Sequence, residues 1–176
     1  MENSTNRKRF LTGMFSDRES AERAYGTLHE RGYTKDDVNV IMTDETRKKH
    51  FAGDDKSDLG NKAMQGMGTG SAIGGTIGAI AGVIAALGTS IVLPGLGLVI
   101  AGPIAAGLAG AGAGGITGGI IGGLIGWGIP EDRAKKYEEG LKGGKIILGV
   151  HPRNEEDARH FETQWKSHKG EDVYTH

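Results

Sequence analysis

The sequence predicts an α+β fold, and three observations carry that prediction. Charge is confined to the two ends of the chain, each end reads as strands alternating with helices, and the two ends share one plan. No Asp, Glu, Lys, Arg or His occurs from Ala63 to Pro130. Residues 1–62 carry 12 basic and 12 acidic groups, and residues 131–176 carry 9 and 10. Neither arm has the net sign that points to nucleic acid or an acidic partner. The clusters Arg7-Lys8-Arg9 and Arg47-Lys48-Lys49 read as solvated ends. A chain of 176 residues fits one domain or two small ones.

The first arm reads β-α-β. Phe10-Leu11-Thr12-Gly13-Met14-Phe15 is a short apolar run. Ser16 with Glu19 fits a capping box, which satisfies two open backbone N–H groups at a helix start. Ala21, Ala24 and Leu28 follow at helical spacing with Tyr25 alongside, and Gly32 suits the left-handed stop. Val38, Val40 and Met42 then alternate as a strand with one buried face.

The second arm reads α-β-α-β. Pro130 suits a first helical position, with Glu131 and Asp132 where the helix dipole favours anions. Ala134, Tyr137 and Leu141 form the apolar stripe, and Gly143-Gly144 ends it. Lys145–Val150 is the strongest strand pattern in the chain. Asn154 caps a helix with the stripe Ala158, Phe161, Trp165; Gly170 ends it, and Asp172-Val173-Tyr174 is a last strand.

Strand, glycine near the strand end (Gly13, Gly149), capped helix, glycine stop and a strand containing Asp-Val recur in both arms. Neither β-α-β arm can bury both faces alone. Together they predict a ferredoxin-like βαβ…(α)βαβ sandwich, with an extra helix over 131–142. Residues 8–62 and 130–176 are its halves, interrupted by a glycine-rich two-helix hairpin over 63–129.

That insert holds 22 of the 32 glycines within residues 64–129. Gly70, Gly74, Gly78 and Gly82 recur every fourth residue, as do Gly110, Gly114, Gly118, Gly122 and Gly126. A spacing of four places each row on one helix face. In water each such glycine destabilises a helix by roughly 1 kcal/mol relative to alanine. The rows make sense as grooves that let helix backbones approach, a glycine zipper of the small-xxx-small kind. Helices are predicted over about 65–88 and 102–127, with the break at Gly88–Gly102 around Pro94-Gly95. At about 1.5 Å per residue, each is long enough to cross a hydrocarbon core of roughly 30 Å. Trp127 sits where an interfacial anchor would, and Lys62, Arg133, Lys135 and Lys136 flank one side. Basic flanks place both polar arms on the cytoplasmic side of the cytoplasmic membrane. The second helix carries an additional row at Gly115, Gly119 and Gly123, a wider groove that predicts oligomerisation.

Several signals are set aside. Gly110-x-Gly112-x-x-Gly115 matches a dinucleotide fingerprint formally, but no strand precedes it. The six histidines lack metal-ligand spacing and read as surface residues. No Ser-His-Asp arrangement is readable, and with no cysteine there is no thiol chemistry and no disulfide. The N-terminus has no apolar run of a secretory signal. No enzyme activity, cofactor, metal or nucleic-acid partner is expected.

Gly13-Met-Phe-x-x-x-x-x-Ala21-x-x-Ala24, with Leu28 and Gly32-Tyr33, resembles bacterial general stress proteins of the YflT or 17M-like type. Gly128-Ile-Pro-Glu-Asp-Arg-Ala-Lys-Lys-Tyr-Glu-Glu-Gly-Leu-Lys-Gly-Gly-Lys145 and the Leu93-Pro94-Gly95 turn resemble the long form with a glycine-zipper insert. The resemblance covers nearly the whole chain. It implies a role in stress response, with no catalytic residue to carry over.

The expectation is therefore a non-enzymatic stress protein whose partners are the lipid bilayer and further copies of itself, a homo-oligomer. Two alternatives stand beside it. One is a soluble cytoplasmic assembly, either a scaffold or a small-molecule-sensing regulator. The other is a small pore, which the scarcity of polar residues in the insert disfavours.

Overall fold

Both arms fold as strands and helices, and their strands interleave in one sheet. A computed structural model describes residues 9–51, 91–93, 97–105, 119–126 and 128–176. In chain order come β1 (Leu11–Phe15), α1 (Arg18–Glu30), a 3-10 turn (Lys35–Asp37), β2 (Val38–Thr43) and α2 (Asp44–Phe51). Then follow β3 (Ile91–Leu93), β4 (Leu98–Ala101), α3 (Gly119–Gly126), α4 (Glu131–Lys142), β5 (Ile146–Val150), α5 (Glu155–Ser167) and β6 (Glu171–Thr175).

The sheet order is β3-β4-β2-β5-β1-β6, with antiparallel neighbours throughout. Its β2-β5-β1-β6 portion has the ferredoxin-like order, with the first strand of each arm at the centre. Leu11 lies opposite Val150 and Phe15 opposite Ile146 at that centre. The predicted α+β, ferredoxin-like class is what the chain adopts.

Local signals explain the helix limits, with three corrections, one of them that Pro130 stands at the N-cap of α4 and Glu131 is its first residue. At α1 the cap is Asp17, not Ser16: its carboxylate accepts the Ser20 N–H at 2.8 Å. A carboxylate caps well because it also meets the positive end of the helix dipole. Ser16 instead donates to Glu171 at 2.7 Å. The helix ends with Gly32 at φ +74, the Gly32 N–H on His29 O and the Tyr33 N–H on Leu28 O. These two bonds satisfy carbonyls that the helix end leaves open. At α5 the left-handed residue is Lys169 (φ 62) rather than Gly170. Gly170 follows because a Cβ there would lie 2.6 Å from Trp165 O. The predicted Asn154 cap forms, accepting the Asp157 N–H at 2.7 Å.

The first face of the sheet carries α1 and α5. Phe15, Tyr33, Phe161 and Trp165 fill it with Leu11, Leu28, Val40, Met42 and Leu148. The Trp165 indole N–H donates to Ala24 O at 3.1 Å, tying the two helices together. The second face carries α4 and α3. Its core joins Phe10, Met14, Ile41, Leu98, Ile100, Ala105, Leu124, Ile129, Tyr137, Leu141 and Ile147.

Two sequence expectations change here. β2 is buried on both faces, since Val38, Asn39, Val40, Ile41 and Met42 are all buried. The alternation expected for a half-exposed strand fails because α4 and the turn at Ile104 cover the far side. The segment expected as the turn between two helices contains two strands. β3 pairs with β4, and β4 pairs with β2 through Val40–Ala101, Ile41–Ile100, Met42–Val99 and Thr43–Leu98. Branched residues on both sides of Pro94-Gly95 favour an extended hairpin over a bare turn. The predicted helix over 65–88 lies outside the described residues. Of that over 102–127, residues 103–105 and α3 are described as helical.

Candidate functional site on helix α3

Helix α3 has the sequence Gly-Ile-Ile-Gly-Gly-Leu-Ile-Gly. Its inner side is set by Leu124, which is fully buried, and by Ile120 and Ile121, which pack against the second core. Gly128 stops it at φ +85, with the Gly128 N–H on Ile125 O and the Ile129 N–H on Leu124 O. Ile129 is buried in the same core, so the helix is anchored at its end as well as along its length.

Its outer side carries Gly122, Gly126 and Ile125. Ile125 is 43 % exposed, the one exposed large hydrophobic residue among the described residues. Gly122 and Gly126 are four apart and so share a face. A Cβ added at either, or at Gly123, would meet no described atom within 4 Å. Among the described residues, nothing fills the backbone notch that Gly122 and Gly126 form beside the exposed Ile125. The helix-forming cost of these glycines has no counterpart in contacts among the described residues. Gly122 and Gly126 are the predicted zipper residues that the structure places. Gly70, Gly74, Gly78, Gly82, Gly110, Gly114 and Gly118 lie outside the described residues, as does Trp127.

The polar anchor of this region was not expected from the sequence. Asn39, in the middle of β2, is 1 % exposed. Its side-chain carbonyl accepts the Ile104 N–H at 2.9 Å, and its amide nitrogen lies 3.4 Å from Gly149 O. Pro103 starts that helical turn and has no N–H to satisfy, so Asn39 accepts from the first amide that needs an acceptor. Gly102 precedes it at φ +112; a Cβ there would overlap the Val38 carbonyl and lie 2.8 Å from Asn39 Cα. The Asp44 N–H bonds Gly97 O at 2.7 Å, fixing the loop between β3 and β4. The one legible signal was an asparagine inside Val-Asn-Val-Ile-Met, a polar group in a run that reads as buried.

Other polar clusters hold elements together. Asp157 accepts the Tyr33 hydroxyl at 2.8 Å and Arg31 at 2.8 Å. Burial raises its carboxyl pKa, but these two donors outweigh burial and hold it below the usual carboxylate value. Burial pushes Tyr33 up to about 12. The Arg153 N–H donates to its hydroxyl at 2.7 Å while the Arg153 guanidinium lies over its ring. Across the sheet, Tyr137 bonds Thr12 at 2.7 Å and Asp172 O at 2.9 Å, and burial pushes it up to about 12. Tyrosines held protonated in this way serve as hydrogen-bond posts between elements.

His176 departs from the expectation of surface histidines. It stacks on Tyr174, meets Phe10 edge-on, and has both ring nitrogens buried with no hydrogen-bond partner among the described residues. Burial lowers its pKa. Among the described residues, no group of three or more His, Asp or Glu is placed to hold a metal ion. No described helix is long and apolar enough to cross a membrane.

No protein-family model, curated protein or solved structure matches the chain.

Proposed function

We propose that this chain is a non-enzymatic, self-associating protein of the general-stress type. In this reading a ferredoxin-like frame carries a glycine-rich insert that packs helix against helix between copies, and the insert acts at a lipid bilayer. The supporting observation is the outer face of α3. A frame-anchored helix presents Gly122, Ile125 and Gly126 away from its own core, at the end of a glycine row that begins at Gly110. Such a face suits close approach of a second helix, where contact replaces the side chains that glycine lacks.

Both arms contribute strands to one sheet, which supports placing them on one side of a membrane. The sensing alternative loses ground, because the sheet face that a four-stranded ferredoxin-like frame leaves open is covered here by α3 and α4. A soluble assembly is the second reading. It is favoured by β4 on β2, which holds the middle of the insert against the frame.

The test is fractionation of the untagged protein from cells with an alkaline carbonate wash, followed by mass measurement in detergent. Retention in the washed pellet, with a multimer that Gly122→Leu and Gly126→Leu dissociate, is the expected result. A large supernatant particle that needs no detergent overturns the bilayer part. An unchanged mass in the leucine variants overturns the role of the α3 face.

A further inference from the structure

His176 closes one end of the sheet with its main chain and leaves its ring without a polar partner. Beyond the Leu11–Thr175 position, its N–H donates to Phe10 O at 3.2 Å and its main-chain oxygen accepts the Phe10 N–H at 2.9 Å. The imidazole stacks on Tyr174 and meets Phe10 edge-on, each ring centroid 5.6 Å away. A Cβ at Gly128 would lie 4.0 Å from its Nε2, so the ring also lies against the stop of α3. Three parts of the chain thus meet at one ring: β6, the start of β1, and the joint between α3 and α4. Phe10 belongs to the second core together with Leu124 and Ile129.

A neutral imidazole carries one N–H and one bare nitrogen. Here both nitrogens are buried with no hydrogen-bond partner among the described residues. A charged ring would add a second N–H and a full charge to the same place. Its surroundings offer that charge nothing. His151 lies beside Phe10, with centroids 4.7 Å apart, and the Arg133 guanidinium lies 4.2 Å over Tyr174. Asp172 is taken by Lys136 at 3.3 Å and Arg133 at 3.6 Å, Glu155 by Arg9 at 3.5 Å, and the main-chain terminus of His176 by the Phe10 N–H. Water is the acceptor left to an imidazolium. We infer that His176 is an acid-released latch: the neutral ring closes the β1–β6 end of the sheet against the α3–α4 joint, and the charged ring leaves for water and opens both. The latch stands on contacts within one chain and needs neither a bilayer nor a second copy. Its opening uncovers Phe10 and so loosens the corner of the second core that holds the end of α3. Burial, then His151 and Arg133, keep the His176 pKa below its ordinary 6.5. The latch is therefore closed above 6.5, and its contribution is lost as pH falls from there through the lowered value.

The test is an NMR titration of the full chain from about pH 8 to about pH 5, the range in which histidine changes charge. The ring signal of His176 is assigned by its loss in His176→Phe, which keeps a ring in the pocket and the terminus on Phe10. The His176 ring is expected to titrate below 6.5, and the backbone signals of Phe10, Gly128 and Ile129 to move with the same midpoint. In His176→Phe those three signals should stay in place, and the melting temperature should fall by about 2–4 °C less over the same range than in the parent. His151→Gln removes the other titrating ring beside Phe10 and should keep the response. A His176 midpoint at or above 6.5 overturns the latch. So do Phe10, Gly128 and Ile129 signals that fail to follow the ring, or an acid response that survives unchanged in His176→Phe. Loss of the response in His151→Gln assigns it to His151 and overturns the latch as well.

Discussion

The two faces of the sheet are built on different plans. The first is closed by the helices of the repeated arms and filled with large aromatic side chains, with Phe15 and Trp165 meeting edge-on at 5.7 Å and Tyr33 and Phe161 at 5.0 Å. The second is closed by α4 and by parts of the insert, and its contacts are mostly aliphatic. Large rings bury much apolar surface per residue and lock two helices to the strands. Aliphatic contacts contributed by a returning loop add stability but do not define the strand order. The contrast teaches that the first face makes the frame and the second decides where the insert lies.

That comparison can be broken most severely at Trp165. Trp165→Ala removes a fully buried ring and its bond to Ala24 O. A loss of about 3–5 kcal/mol is expected, read by denaturant unfolding, with both faces lost in one transition. A variant that unfolds only the second face would refute the ranking of the two.

Gly102→Ala attacks the other side. The positive φ carries a strain of roughly 1–3 kcal/mol for a residue with a side chain, and the overlap with Val38 O adds to it. Hydrogen exchange should accelerate at the β4 amides while those of β5 and β1 stay protected. Uniform acceleration across the sheet would mean that the insert is part of the frame.

Tyr33→Phe probes the junction of α1 and α5 on the first face. It deletes the hydroxyl donated to Asp157 and the acceptor of the Arg153 N–H. About 1.5–3 kcal/mol should be lost at neutral pH, the range for hydrogen bonds to charged groups. The folded Asp157 pKa lies below its ordinary 3.8. Its contribution is thus fully present above that value and is lost as pH falls through the depressed one. With one donor removed, that pKa moves back towards 3.8, so the deficit of the variant should shrink in acid. A deficit independent of pH would show that Asp157 is not its source.

The smallest effect belongs to Gly122→Ala. A Cβ there meets no described atom, so the isolated chain should gain up to about 1 kcal/mol from better helix propensity. A lower melting temperature, seen only at concentrations where the chain self-associates, would locate a neighbour on this face.

Much of the frame was legible because it rests on local rules. Helix stripes, Asn154 at a cap, Gly32 at a left-handed stop and Gly143-Gly144 at a helix end declare themselves in short windows. The candidate face was legible in part, since the four-residue glycine row includes Gly122 and Gly126, but which way the helix turns them depends on Leu124 finding the second core. The cap of α1 is legible in the sequence only to within one residue, because Ser16 and Asp17 compete for it and backbone geometry selects Asp17.

By itself, the sequence determined the class of fold, the repeated arms, the charge-free insert and its glycine periodicity, since each is a matter of composition or spacing. Only the tertiary structure decided that Ile91–Leu93 and Leu98–Ala101 join the sheet, that Asn39 holds the start of the turn at Pro103, and that β2 is buried on both sides. The reason is physical. An apolar run with branched residues can bury itself in lipid, in a helix pair or on an open strand edge, and its own spacing does not choose among them. The choice is made by the unpaired edge of β2 and the uncovered face beside it, which exist only once distant parts of the chain have come together.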